Sequence, residues 1–109
     1  MENQEQKYEM ILCVVNAGFA AGVMDEARKA GARGGTIVHA RGTANKEAEA
    51  FFHITIQPEK DLLILLVPAE IKDDILHALW RSFGVDSDGQ GIAFSVPVDG
   101  TAGMRTIEG

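Results

Sequence analysis

Two six-residue runs, Met10–Val15 and Leu62–Val67, are apolar at every position. A strand with one face on a core and the other in water alternates apolar and polar residues, so a run without alternation requires cover on both faces. The intervening and following segments limit how that cover arises. From Phe19 the apolar positions fall at Phe19, Val23, Met24, Ala27 and Ala30, one face of a helix, with Asp25, Glu26, Arg28 and Lys29 opposite and Gly31 as its stop. After Leu62–Val67, Pro68-Ala69-Glu70 opens a second helix whose core face is Ile71, Ile75, Leu76, Leu79 and Phe83. Its Glu70, Asp73 and Asp74 lie in the first turns and Arg81 near the end, each on the side the helix dipole favours.

The remaining strands are shorter. Tyr8–Val15 forms the first and stops at Asn16-Ala17-Gly18; β-branched Thr36, Ile37 and Val38 mark a second over Thr36–Ala40. Arg41–Glu49 has no sustained apolar period and reads as an exposed loop, and Phe51–Ile56 returns as strand before Pro58. Gly84 ends the second helix, Asp86–Gly91 is a polar glycine-rich turn, and Ile92–Val96 is the last strand. The order is β-α-β-β-α-β, an α+β ferredoxin-like sandwich with strands 1 and 3 central and two helices on one face of an antiparallel sheet. Two helices from a chain of 109 residues cannot also cover the second face. The sequence therefore predicts one domain whose copies pack sheet against sheet. Residues 1–6 read as a frayed end, 41–53 as a loop and 97–109 as a tail.

Charge narrows the partners. Ten Lys+Arg against sixteen Asp+Glu give a formal net charge of −6, so no broad basic face is present for a phosphate backbone, and nucleic acid is not the expected partner. No apolar run approaches the roughly 20 residues that span a bilayer, and the acidic start lacks a basic signal flank, so a cytoplasmic location is expected. The single cysteine, Cys13, lies inside the first apolar run and is expected to be a buried structural thiol.

The chemistry-bearing residues are few. His77 reads as a surface group pairing locally with Asp74 and Arg81. His39 and His53 stand at the two ends of the loop and approach one another if their strands form a hairpin, but two histidines make an incomplete metal site. No nucleophile, base and orienting group occur together, and no catalytic residue is expected. Gly89-Gln90-Gly91 is neither a Walker nor a Rossmann loop, although a turn of this kind exposes successive backbone N–H groups to an anion. Arg41 and Arg105 are the basic residues able to complete a phosphate site.

Taken together these segments resemble the P-II nitrogen regulatory signal-transduction family, most closely its compact P-II-like branch. The likeness runs over residues 8–106. Gly34-Gly35-Thr36-Ile37-Val38-His39-Ala40-Arg41-Gly42 is similar to the stretch before the family's T-loop, Leu63–Pro68 to its third strand, and Gly89-Gln90-Gly91-Ile92-Ala93-Phe94 to its B-loop. The resemblance implies a homotrimer with sheets facing inward, a nucleotide in the clefts between neighbours, and a T-loop that docks on a target, such as a membrane transporter, according to the bound effector. Carried over by position, Thr36, Arg41 and Gly42 line the nucleotide cleft. Lys60 matches the family lysine after its proline with one residue inserted. Gly89, Gln90 and Gly91 hold the phosphates, and Arg105, followed by Thr106, reaches across the interface.

The departures are specific. Ile92 stands where the B-loop lysine does, Gln90 where its aspartate does, and Gly103 where the first of two C-terminal arginines does. With less positive charge, ADP, AMP or a smaller or cyclic anion fits alongside ATP, with or without magnesium. The segment between Gly42 and Pro58 is shorter than the usual T-loop and lacks its tyrosine, the sole tyrosine being Tyr8. The competing expectation is a trimeric divalent-metal module like the CutA proteins, which share the frame and would use His39 and His53. A small ferredoxin-like enzyme ranks third.

Overall fold

The computed structural model describes residues 7–43, 50–51 and 58–103. Its elements are β1 (Tyr8–Asn16), α1 (Ala20–Lys29), β2 (Gly35–Arg41), β3 (Glu59–Pro68), α2 (Lys72–Phe83) and β4 (Ile92–Val98). The four strands form one antiparallel sheet in the order β2-β3-β1-β4, so β1 and β3 are central as their composition requires. His53, Arg105 and Thr106 lie outside the described residues, as does most of the expected strand Phe51–Ile56; Phe51 itself is helical, together with Ala50.

Burial resolves the two apolar runs into two faces. On β1, Ile11, Cys13 and Val15 are buried while Met10, Leu12 and Val14 are only partly so; on β3, Leu63, Leu65 and Val67 are buried and Leu62, Ile64 and Leu66 are not. The buried set meets Val23, Met24 and Ala27 of α1 and Ile75 and Leu79 of α2 in one core. Burial pushes the Cys13 thiol up to about 11, because a thiolate there would be stripped of water. We expect native protein at pH 8 to react with a thiol-specific disulfide reagent at least about a hundredfold more slowly than protein in urea, followed by thiolate release.

The other face is apolar and only partly buried. Register places Leu12 between Ile64 and Phe94, Met10 between Leu66 and Val96, and Val14 between Leu62 and Ile92. This three-by-three grid is extended on β2 by Val38, opposite Leu62. Ile92 is 63% and Phe94 46% exposed. Ile92 thus belongs to the grid.

Element ends differ from the sequence expectation for local reasons. Pro68 closes β3 instead of opening a helix: its ψ of 140° is extended, it pairs with Tyr8, and Ala69 N–H donates to the Lys7 carbonyl at 2.9 Å. The chain then makes a 3-10 turn over Ala69–Ile71 before α2 begins at Lys72. β3 also starts earlier, at Glu59, which carries Lys60 and Asp61 into the sheet. On α2, the His77 ring lies 5.7 Å from the exposed Trp80 ring, a tilted stack in place of the expected local charge pairs.

Candidate ligand site at one end of the sheet

The C-terminal ends of β1 and β2, the start of β3 and the turn 84–91 meet at one end of the sheet. Gly42 N–H donates to the Pro58 carbonyl at 2.6 Å, clipping together the two ends of the segment between them. A Cβ on Gly42 would stand 3.1 Å from Lys60 Cε, so the lysine stem lies directly against that clip. The Lys60 ammonium donates to Asn16 Oδ1 at 2.7 Å. Asn16 in turn holds the turn: its backbone N–H donates to the Gly89 carbonyl at 2.8 Å and its Nδ2 to the Asp88 carbonyl at 3.0 Å.

The turn is built from the inside. Ser87 N–H and Oγ both donate to the Gly84 carbonyl, Gln90 N–H donates to the Ser87 carbonyl at 3.0 Å, and Gly91 N–H to the Phe83 carbonyl at 2.6 Å. Gly91 is required by proximity, since any Cβ there would collide with the Phe83 carbonyl and press on Val15. Gln90 adopts the left-handed region at φ 49°, uncommon for a residue with a long side chain. These bonds correct one expectation. Two of the three N–H groups of Gly89-Gln90-Gly91 are committed inward, so the turn is not a continuous row of free donors.

Beside this cluster, on the helix face, Asp61 is buried and carries three partners. Gly18 N–H donates to Oδ2 at 3.0 Å, His39 Nδ1 lies 2.9 Å from Oδ1, and the Ala20 N–H also points at the carboxylate. Gly18 reaches this position at φ +98°, which disfavours any other residue. The Gly18 N–H first, then His39 and Ala20, hold the Asp61 carboxyl below the usual carboxylate range, against the opposing effect of burial. The His39 side chain is 89% exposed, that of Asp61 only 7%. With Nδ1 turned to Asp61, His39 offers only Nε2 to an external ligand, and among the described residues no group of three His, Cys, Asp or Glu side chains is placed to hold a metal.

Gly42, Lys60, Gly89, Gln90 and Gly91 are therefore brought together, and Arg41 stands next to them at the exposed end of β2, opposite Glu59. Thr36 is not. It lies at the far end of β2, opposite Ile64, and six extended Cα-to-Cα steps separate it from Gly42 by about 20 Å. Asn16 and Asp61 are the residues that sequence reasoning missed. A polar residue ending an apolar run, two positions before a Gly, reads as a strand stop, and a charged residue before one reads as a flank.

The family model for nitrogen regulatory protein P-II matches residues 8–108. The chain belongs to the P-II family. Proteins of this family are regulators, not enzymes, and are typically trimeric and effector-binding. Among solved structures, this P-II chain is similar to a PII-like signaling protein from Thermus thermophilus, with TM-score 0.66 and 20% identity, over 88% of this chain and 90% of that one. Arabidopsis thaliana PII bound to citrate matches with TM-score 0.64 and 18% identity, over 86% and 77% of the two chains. A Bacillus cereus protein related to NIF3 shares the frame at TM-score 0.67 and 13% identity, over 92% of this chain but 27% of its own. At these identities the likeness concerns the fold. A comparison with curated protein sequences returns no significant match. Among the described residues no helix is long and apolar enough to cross a membrane.

Proposed function

We propose that this P-II protein is a cytoplasmic, non-enzymatic regulator that binds an adenine nucleotide, or a related small anionic effector, at the sheet end between subunits of a homotrimer. The observation that carries this reading is the convergence of Gly42, Lys60 and the 84–91 turn, which are distant in sequence, on one edge-facing cluster. Lys60 supplies charge to the phosphates, the Gly89–Gly91 turn supplies close backbone approach, and Arg105 adds a second cation from the tail. Thr36, about 20 Å away on its own chain, joins the cleft from the neighbouring copy. The citrate in the Arabidopsis relative's structure fits a site for a small polyanion.

The effector acts by binding two states of the segment between Gly42 and Pro58 differently, since only differential affinity shifts an equilibrium. That segment then changes its affinity for a target protein such as a membrane transporter in nitrogen or carbon metabolism. With Ile92 turned into the apolar grid and Gly103 in place of an arginine, the phosphates meet fewer cations, so affinity is modest.

A thermal-shift panel of ATP, ADP, AMP, cyclic AMP and 2-oxoglutarate, with and without magnesium, tests the reading, because a ligand selective for the folded state raises Tm. We expect at least one adenine nucleotide to do so. By calorimetry, Lys60→Met and Arg105→Ala each weaken it about tenfold, the effect of losing one charge-assisted hydrogen bond, while the oligomer stays intact. No Tm shift with any compound would reduce the family relation to one of fold; unchanged affinity in either variant would remove that residue from the site.

A further inference from the structure

Asn16 is the last residue of β1, directly across the ladder from Lys60, and is only 5% exposed. A buried primary amide has a carbonyl oxygen and an NH2 group to satisfy. Here Oδ1 accepts from Lys60 Nζ at 2.7 Å, while Nδ2 donates to the Asp88 carbonyl at 3.0 Å and faces Gln90 Oε1 at 3.4 Å. The amide orientation follows from its neighbours. An ammonium only donates and a backbone carbonyl only accepts, so a flipped amide would set donor against donor on one side and acceptor against acceptor on the other. One planar group thus determines both where the Lys60 charge sits and where the Asp88–Gln90 backbone lies.

We propose that Asn16 is a positioning residue coupling the Lys60 ammonium to the 84–91 turn, so that an anion drawing Lys60 away is felt in the turn. While the ammonium is bonded to Oδ1, it polarises the amide and strengthens the Nδ2 donation to Asp88. When the ammonium turns to an anion, the buried Oδ1 loses its donor and the amide must rotate toward another. Nδ2 then moves off the Asp88 carbonyl and Gln90. The identity of the anion rests on the nucleotide reading above; the coupling itself is a property of the ligand-free chain.

The test is amide hydrogen exchange by NMR at Gln90 and Gly91, whose N–H groups are bonded to Ser87 and Phe83, in ligand-free protein. Lys60→Met is expected to change these rates at least about threefold, and the same substitution in an Asn16→Ser background to change them by less than about 1.5-fold. Should Asn16→Ser not fold, Asn16→Asp serves instead. It keeps an oxygen for Lys60 but sets a second one against the Asp88 carbonyl, so the turn is expected to exchange faster while the Lys60 ammonium signal stays that of a tethered group. The proposal is overturned if Lys60→Met leaves the turn unchanged, or if its effect persists undiminished without the Asn16 amide. An ADP titration separates this from the effector reading. Coupling without binding of ADP, ATP or AMP would sink the nucleotide assignment alone, and binding without coupling would sink the role of Asn16 alone.

Discussion

With the proposed homotrimer as the parent assembly, Leu12→Lys is expected to give folded monomers, read as a threefold drop in mass by light scattering after size exclusion. Leu12 sits at the centre of the grid, flanked by Ile64 and Phe94. Three or four strands at about 4.8 Å spacing and five residues at about 3.4 Å rise give the grid a footprint of roughly 300 Å². The largest apolar patch on a soluble monomer has about this size and is often functional. An ammonium at its centre loses its water on assembly and gains no partner, a cost of several kcal/mol per copy that a three-copy assembly incurs three times.

The monomer should survive the change, because Leu12 points away from the helix-side core of Ile11, Cys13, Val15, Leu63, Leu65 and Val67. Far-ultraviolet circular dichroism should therefore remain close to that of the parent. Trp80→Lys, on the outer surface of α2, is the matching control and should leave the mass unchanged. A wild-type monomer at micromolar concentration, or a Leu12→Lys protein of unaltered mass, would remove sheet-to-sheet packing from the account.

The frame and this face were legible in the sequence because both rest on periodicity. Val23, Met24 and Ala27 recur at helical spacing, and Met10–Val15 and Leu62–Val67 lack the alternation that a half-wet strand shows. Gly42, Lys60 and the Gly89–Gly91 turn were legible through motif order. What escaped is polar and long-range. Asn16 bonds to Lys60, Asp88 and Gln90 across separations of 44, 72 and 74 residues, and Asp61 to Gly18 across 43. No local pattern encodes such pairs. The inward commitment of the Gln90 and Gly91 amides escaped for a related reason, since composition marks a turn without saying which of its N–H groups face the protein. Phe51 has the residue type of a strand and the position of a helix, an ambiguity that short apolar runs leave open.

Asp61→Ala is expected to lower stability by about 2–3 kcal/mol, the loss of charge-assisted hydrogen bonds together with a helix cap. For a chain of this size that is a fall in Tm of roughly 10–15 °C at fixed protein concentration. The size of the effect follows from what α1 lacks. Its N-cap residue is Phe19, no side chain on the helix caps it, and its first turn holds no acidic residue. The carboxylate at the positive end of the dipole comes instead from β3, held by the Gly18 N–H just before the helix and facing the Ala20 N–H of its first residue. Removing it loosens α1 at its start, so the amides of the first helical turn should exchange faster while those of α2 do not. His39→Ala removes only an exposed partner of the same carboxylate and should cost about 0.5–1 kcal/mol. The pH dependence has a definite sign. Because the folded state holds the Asp61 carboxyl below its ordinary value of about 3.9, the unfolded chain takes up the proton first as pH falls. The stabilisation is thus fully present above about pH 4 and is lost as pH drops through the lowered folded value. Asp61→Asn should show a shallower loss of Tm below pH 4 than the parent. A parallel pair of curves, or an Asp61→Ala variant within about 0.5 kcal/mol of wild type, would show that α1 is held by its apolar face alone.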